Sequence, residues 1–233
     1  MSEGSESTTV DPPKKGETPI AKEEPTTKNG EATESEKAAS EVALSEPEPV
    51  LKHPLQHAWT MWFFKNNRAK EWKVYQKPII TFKTVEDFWA LYNHIEVSSK
   101  IEHGCDYSLF KEGIWPMWED EANSGGGRWL ITLEKKQRHT FLDDFWLEVM
   151  LCLIGESFDE YSEIINGAVV SVRPRHDKIA IWLGDASKGN MIVTIGKKVK
   201  ERLGIEKQTT LGFEAHDDTM KKSGSVAKLR YTV

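Results

Sequence analysis

All nine tryptophans of this 233-residue chain lie after residue 50, and that distribution constrains the fold more than any other feature. Residues 1–50 hold no aromatic side chain, six prolines, and 12 acidic against 5 basic groups, a net charge of −7. So little apolar surface cannot offset the entropy of ordering the chain, so this stretch reads as a disordered acidic tail rich in Pro, Glu, Ser and Thr. The whole chain carries −6, which leaves residues 51–233 near neutral at +1 and of a size for one domain. A globally basic nucleic-acid-binding surface is thereby excluded, whereas a local basic patch is not. Cys105 and Cys152 are too few for a disulfide framework, and the opening Met1-Ser-Glu-Gly is polar and acidic, unlike a secretory signal. The longest apolar run, Val149–Gly155, is far short of a membrane span. A reducing compartment is expected, most simply the cytoplasm.

Order is expected to begin near His53-Pro54-Leu55, with Ala58–Lys65 as a buried strand and Ile79–Phe82 as a short one. Thr84 can cap a helix whose first turn carries Glu86 and Asp87 at the positive end of the dipole. Val85, Phe88, Trp89, Tyr92 and Ile95 fall on one stripe of it, with Trp89 at the margin. Arg128–Leu133 alternates as a strand after three glycines. In the next helix, roughly Phe141–Ile154, Phe141, Leu142, Phe145, Val149, Cys152 and Leu153 form one apolar face, and Leu147, Leu151 and Ile154 form another. A second apolar stripe is either buried by a further element or offered to a partner.

Ala168–Arg175 and Lys178–Leu183 read as a hairpin around His176-Asp177, a register that sets Arg175 opposite Lys178, Arg173 opposite Ala180 and Ser171 opposite Trp182. Alternation then gathers Arg173, Arg175, Lys178 and Trp182 on one sheet face. Like charges so placed are either a solvated edge or the seat of an anion. Pro174 lacks a donor, so the strand end that holds it should splay. A helix near Met191–Leu203 and strands near Thr210–Ala215 and Leu229–Val233 complete the chain. The pattern implies an α+β fold, a mainly antiparallel sheet with helices on one face.

The stretch Ile114-Trp-Pro-Met-Trp-Glu-Asp120 is the candidate site. Pro116 and the acids after Trp118 put that ring where the chain meets water. It either plugs a core edge or offers an aromatic face beside the Glu119 carboxylate. No His-Glu-x-x-His, Gly-x-Ser-x-Gly, Cys-x-x-Cys or phosphate-cradling glycine loop is present, so neither an enzyme nor a cofactor is expected. Trp72, alone between charged residues, sits on a separate loop. Two rings can sandwich a planar cation, a carboxylate can accept two parallel N–H bonds, and Arg173, Arg175 and Lys178 can hold phosphates. A cationic purine bearing a polyphosphate is 7-methylguanosine triphosphate, the 5′ cap of a eukaryotic messenger RNA.

Several motifs, in order, resemble the eukaryotic translation initiation factor 4E family: His53-Pro-Leu-Gln56, Thr84-Val-Glu-Asp-Phe-Trp-Ala-Leu-Tyr92, Pro116-Met-Trp-Glu-Asp120, Gly127-Arg-Trp-Leu-Ile-Thr-Leu133 and Leu153-Ile-Gly-Glu-Ser-Phe158. The resemblance covers essentially 53–233 and implies a curved eight-stranded sheet, three long helices on its convex face and a cap-binding slot on its concave face. It implies Trp72 and Trp118 as the stacking pair, Glu119 as the base reader, Trp182 at the methyl group, and Arg173, Arg175, Lys178 and, more weakly, Arg128 at the phosphates. It implies a second site for a Tyr-x-x-x-x-Leu-apolar helix of a scaffold initiation factor or a competing inhibitor, at His53, Pro54, Val85, Trp89, Leu147, Glu148, Leu151, Ile154 and Gly155. Ser225 falls at the position the family phosphorylates. Trp115, Gly125-Gly126 and Pro174 depart from the family pattern.

The expected protein is thus a monomeric cap-binding factor of the cytoplasm, with the nucleus as a second compartment, that recruits messenger RNA to the ribosome. The alternative is a cap-binding repressor or specialised isoform with a different partner on the convex face. A cap-processing enzyme would need a general base or metal beside the phosphates, and Glu119 is already committed to the base.

Overall fold

Eight antiparallel strands form a single curved sheet in the computed structural model, which describes residues 51–65, 75–206, 208–220 and 228–233. The strands are β1 (Pro54–Lys65), β2 (Gln76–Thr84), β3 (Cys105–Lys111), β4 (Gly127–Glu134), β5 (Ile165–Ser171), β6 (His176–Leu183), β7 (Gly212–Ala215) and β8 (Tyr231–Thr232), in the spatial order β2-β1-β3-β5-β6-β4-β7-β8. Three longer helices, α1 (Val85–Tyr92), α3 (Asp143–Ile154) and α4 (Gly189–Arg202), accompany two short ones, α2 (Glu121–Ser124) and α5 (His216–Met220). The expected tail at 1–50, Trp72 and Ser225 lie outside the described residues.

Alternation along the strands sorts the side chains. Trp59, Met61, Leu109, Trp129, Ile131, Ile179, Ile181 and Leu183 join one large buried core with Phe88, Trp146, Val149, Ile192 and Ile195 of the helices. The opposite face carries a smaller cluster of Phe110, Ala180 and Trp182. Thr84 caps α1 as expected: its Oγ1 accepts from the Asp87 amide at 3.2 Å, and Lys52 pairs with the Asp87 carboxylate at 2.6 Å. Ile95 lies beyond the end of α1 but still packs on the core.

The expected core face of α3 holds at Leu142, Val149, Cys152 and Leu153, which are buried, and at Phe145, which packs on the core, but not at Phe141. Phe141 lies in a π-helical segment, Arg138–Leu142, that precedes the α-helix. Phe141 is 40% exposed and Phe145 half-buried, while Trp146, Met150 and Ile154 are buried. Leu147 and Leu151 remain half-buried, so the second stripe is narrower than expected.

The hairpin register is also corrected. Lys178 pairs with Ser171, Ala180 with Val169 and Trp182 with Gly167, so the connection is Val172–Arg175 and Arg173 faces no strand residue of β6. Asp177 is the physical reason. Its parity with Ile179 and Ile181 turns it toward the interior, where it is 0% exposed and bound by Arg138 at 2.6 and 2.7 Å. A residue so held belongs to a strand and cannot sit in the turn. Pro174 falls in the connection, as its missing donor requires.

Trp129 fastens the sheet to α4, its Nε1 donating to the Ile192 carbonyl at 3.0 Å. Gly196 is the contact point: a Cβ there would lie 2.4 Å from Trp129 Cζ2. Helix propensity favours Ala over Gly by about 1 kcal/mol, whereas overpacking a locked core costs about 1–3 kcal/mol. Packing wins, because the ring cannot retreat without losing its hydrogen bond. Gly196→Ala should therefore lower stability by about 1 kcal/mol net in urea unfolding; a rise would show that the ring yields freely.

Candidate functional site

The open face of the sheet is built around Trp182. On β6, Lys178, Ala180 and Trp182 share a parity, and their β4 partners are Thr132, Leu130 and Arg128. Trp182 is buried, with Phe110 edge-on at a centroid distance of 5.6 Å and His216 at 4.4 Å. Gly167 stands between Trp182 and Phe110 in the register, and a Cβ there would meet Phe110 Cγ at 2.5 Å. Its missing side chain lets the two rings touch. Arg128 is half-buried and reaches Glu214 of β7 at 3.3 Å.

Trp118 and Glu119 belong to the segment between β3 and α2, and both are exposed, the ring by 37%. The segment is nonetheless fixed. The Asp120 carboxylate accepts from the amides of Trp115 and Ala122, both at 2.9 Å. Buried Asn123 donates to the carbonyls of Trp115 at 2.9 Å and Met117 at 2.8 Å. Asn166 in turn donates to the carbonyl of Ala122 and to Asn123 Oδ1, at 2.7 and 2.9 Å. Trp115 is 45% exposed and leans on Trp62, ring centroids 4.7 Å apart and tilted by 45°. It is spent on a neighbouring ring, whereas Trp118 has no ring contact among the described residues. The Glu119 carboxylate likewise has no hydrogen bond or ion pair among them.

The basic residues divide into two kinds. Arg175 and Lys178 are exposed and unpaired among the described residues. Arg173 is half-buried and gripped by Asp106 of β3, Nη1 to Oδ1 at 2.5 Å and Nη2 to Oδ2 at 3.0 Å. Burial pushes the Asp106 carboxyl up against the opposing pull of Arg173.

On the helical side, the expected second site falls into two groups, one around α1 and one on α3. The Val85 amide donates to the His53 carbonyl at 2.9 Å, and His53 binds Glu86 through its amide and its ring, at 2.9 and 2.6 Å. These bonds hold the Glu86 carboxyl down at about 2. Trp89 is 37% exposed, edge-on to Phe88 and Tyr92. Leu147, Glu148 and Leu151 share the outer face of α3, and Gly155 ends the helix, donating to the Leu151 carbonyl at 2.9 Å. Ile154 is buried instead of offered.

Sequence reasoning missed Asp106, Asn123, Arg138, Asn166 and His216, which set the others in place. A need for one of them, Arg138, was readable: Asp177 has the parity of an inward residue, and an inward carboxylate demands a cationic partner.

Fold and site define a class of single-sheet α+β protein with an aromatic and charged open face and a partly exposed apolar helical face. The chain belongs to the Eukaryotic initiation factor 4E family, which matches residues 54–230. It is 55% identical over 207 residues to the eukaryotic translation initiation factor 4E of Homo sapiens, covering 89% of this chain and 95% of that one. The Xenopus laevis protein of the same name is 53% identical over 214 residues, covering 92% and 100%. Among solved structures, Ascaris suum eIF4E-3 with m7G cap superposes with a TM-score of 0.74 at 44% identity, covering 78% of this chain and 98% of that one. C. elegans eIF4E-3 with the 4E-binding protein Mextli and cap analog gives 0.73 at 43%, covering 78% and 100%. Among the described residues, no helix is long and apolar enough to cross a membrane.

His216 gives the site a pH signature. Burial, then the neighbouring Arg128, lowers its pKa to about 4, against an opposing pull from Asp217. Between 6.5 and 4 the unfolded chain takes up a proton that the native state refuses, so stability falls with pH, by about 1.4 kcal/mol per unit and on the order of 3 kcal/mol in all. Urea midpoints measured at pH 7 and pH 4 should converge in His216→Gln relative to wild type. An unchanged gap between them would place the titrating group elsewhere.

Proposed function

We propose that this chain binds the 7-methylguanosine cap of messenger RNA on its open face and a scaffold initiation factor on its helical face, recruiting the message for translation. The observation that carries the reading is the Trp118-Glu119 pair, exposed on a segment held rigid by Asp120 and Asn123. Unpaired polar and aromatic groups on rigid scaffolding are what a ligand, not the fold, requires. The Trp118 ring stacks on the cationic base, with Trp72 as its opposite wall. Glu119 accepts two N–H bonds from the guanine edge, and Trp182 closes the slot at the methyl group. Arg175 and Lys178, with Arg173 and Arg128 behind them, neutralise the phosphates.

The helical face takes an amphipathic Tyr-x-x-x-x-Leu-apolar helix, with Trp89, Leu147 and Leu151 as its groove and His53, Pro54, Val85, Glu148 and Gly155 at its rim. Relatives solved with 4E-binding proteins favour one refinement: inhibitors would compete for the same groove. The chain works as a cytoplasmic binding protein, not an enzyme, with Ser225 as a phosphorylation site.

Tryptophan-fluorescence titration with 7-methylguanosine triphosphate against guanosine triphosphate tests the slot. Trp118→Leu should remove about 2 kcal/mol of cation–π attraction, roughly 30-fold in affinity, and most of the preference for the methylated base. Trp115→Leu should change affinity by less than about threefold, since that ring is committed to Trp62. Equal effects would mean that the wrong ring has been assigned.

Trp89→Ala separates the two faces. A half-exposed hot-spot tryptophan costs at least about 2 kcal/mol when truncated, so scaffold-peptide affinity should fall by roughly 30-fold or more. Cap affinity should stay within about twofold and the melting temperature nearly unchanged. Parallel loss of both ligands with early unfolding would make Trp89 a core residue and nothing more.

A further inference from the structure

Two cations on one connection, Arg173 and Arg175, and a third beside it on β6, Lys178, repel one another, and the structure meets that repulsion from beneath. Arg138, at the start of the π-helical segment, and Asp177, at the second position of β6, are both buried. Arg138 makes a fork on Asp177, Nε to Oδ2 at 2.6 Å and Nη2 to Oδ1 at 2.7 Å. The same Nη2 donates to the Arg173 carbonyl at 2.7 Å, and Nη1 meets His103 Nδ1 at 3.3 Å. Asp177 Oδ1 also accepts the Arg173 amide at 3.0 Å. Both main-chain polar groups of Arg173 are therefore held by one buried ion pair. Its side chain is held by a second pair, Asp106, and by the carbonyls of Val172 and Cys105 at 3.0 and 3.3 Å.

We propose that Arg138 and Asp177 are positioning residues for polyphosphate recognition: they touch no ligand, but fix the Val172–Arg175 connection so that Arg173, Arg175 and Lys178 face one anion together. The inference rests on the phosphate contacts proposed above. Three features argue for positioning over bulk stability. A buried ion pair is seldom more stabilising than apolar residues of similar volume, so stability alone is a poor reason to keep one. Its bonds go to the main chain of Arg173 itself, the residue whose placement matters. Like charges gathered on a short connection would otherwise splay into water, as screening and entropy both favour.

The test uses the full chain and two probes, 7-methylguanosine monophosphate and triphosphate, titrated by tryptophan fluorescence. In wild type the triphosphate should bind more tightly, and the ratio of the two affinities is the readout. Arg138→Met combined with Asp177→Leu replaces the pair by apolar groups and avoids stranding a buried charge. In that variant the ratio should fall by about tenfold, the worth of one charge-assisted hydrogen bond, while monophosphate affinity moves by no more than about twofold. Arg138→Lys keeps a cation on Asp177 without the planar fork, and its ratio should lie between the two. Should the double variant fail to fold, Arg138→Lys decides alone. An unchanged ratio in a folded variant overturns the inference, as does equal loss of both probes. A wild-type ratio near one would instead remove the phosphate contacts on which it rests.

Discussion

Strand alternation is the constraint that creates the two faces of this protein. Along β6 one parity, Asp177, Ile179, Ile181 and Leu183, goes to the helices, and the other, Lys178, Ala180 and Trp182, to the open side. A one-residue slip would bury Lys178 and expose Ile179, so the apolar core and the open-face site are fixed by the same register. β4 repeats the division, with Trp129, Ile131 and Leu133 inward and Arg128 and Leu130 outward. The register that holds the sheet to its helices therefore also aims the functional groups.

Much of this was legible in the residues. The Thr84 cap, the marginal Trp89, the exposed Trp118 and the shared face of Lys178 and Trp182 all come from local chemistry or from period, and the structure reproduces them. Facial parity survived even where the register did not, because the hairpin was misplaced by an even number of residues. β3 was not foreseen. Its Cys-Asp-Tyr-Ser-Leu-Phe-Lys run, largely buried on both faces, carries no clean alternation. Phe141 was misplaced because it lies in a π-helical turn, which departs from the phase that a uniform 100° step assumes. Asn123 and Asn166 were invisible for a different reason: an asparagine that buttresses a loop has the composition of one that merely sits in it.

The two ion pairs under the basic connection change how its charge should be counted. Formally Arg173, Arg175 and Lys178 contribute three cations, but Asp106 offsets one directly. Asp177 is itself offset by Arg138. The net field is then that of two exposed cations with a third held in reserve. Such a cluster tolerates the absence of an anion, which three bare charges so close together would not.

The hydrogen bonds around Asp120 and Asn123 carry a consequence for the heat of binding. The carbonyls of Trp115 and Met117 are already taken and the Trp115 amide already donated before any ligand arrives. The backbone entropy of this wall is thus lost during folding and does not reappear on association. Ligand capture at the Trp118 side should consequently resemble docking against a finished surface. Loosening that wall, as by removing Asn166, would leave every contacting atom in place and still weaken capture, with the deficit appearing in the entropy of association and little of it in the enthalpy.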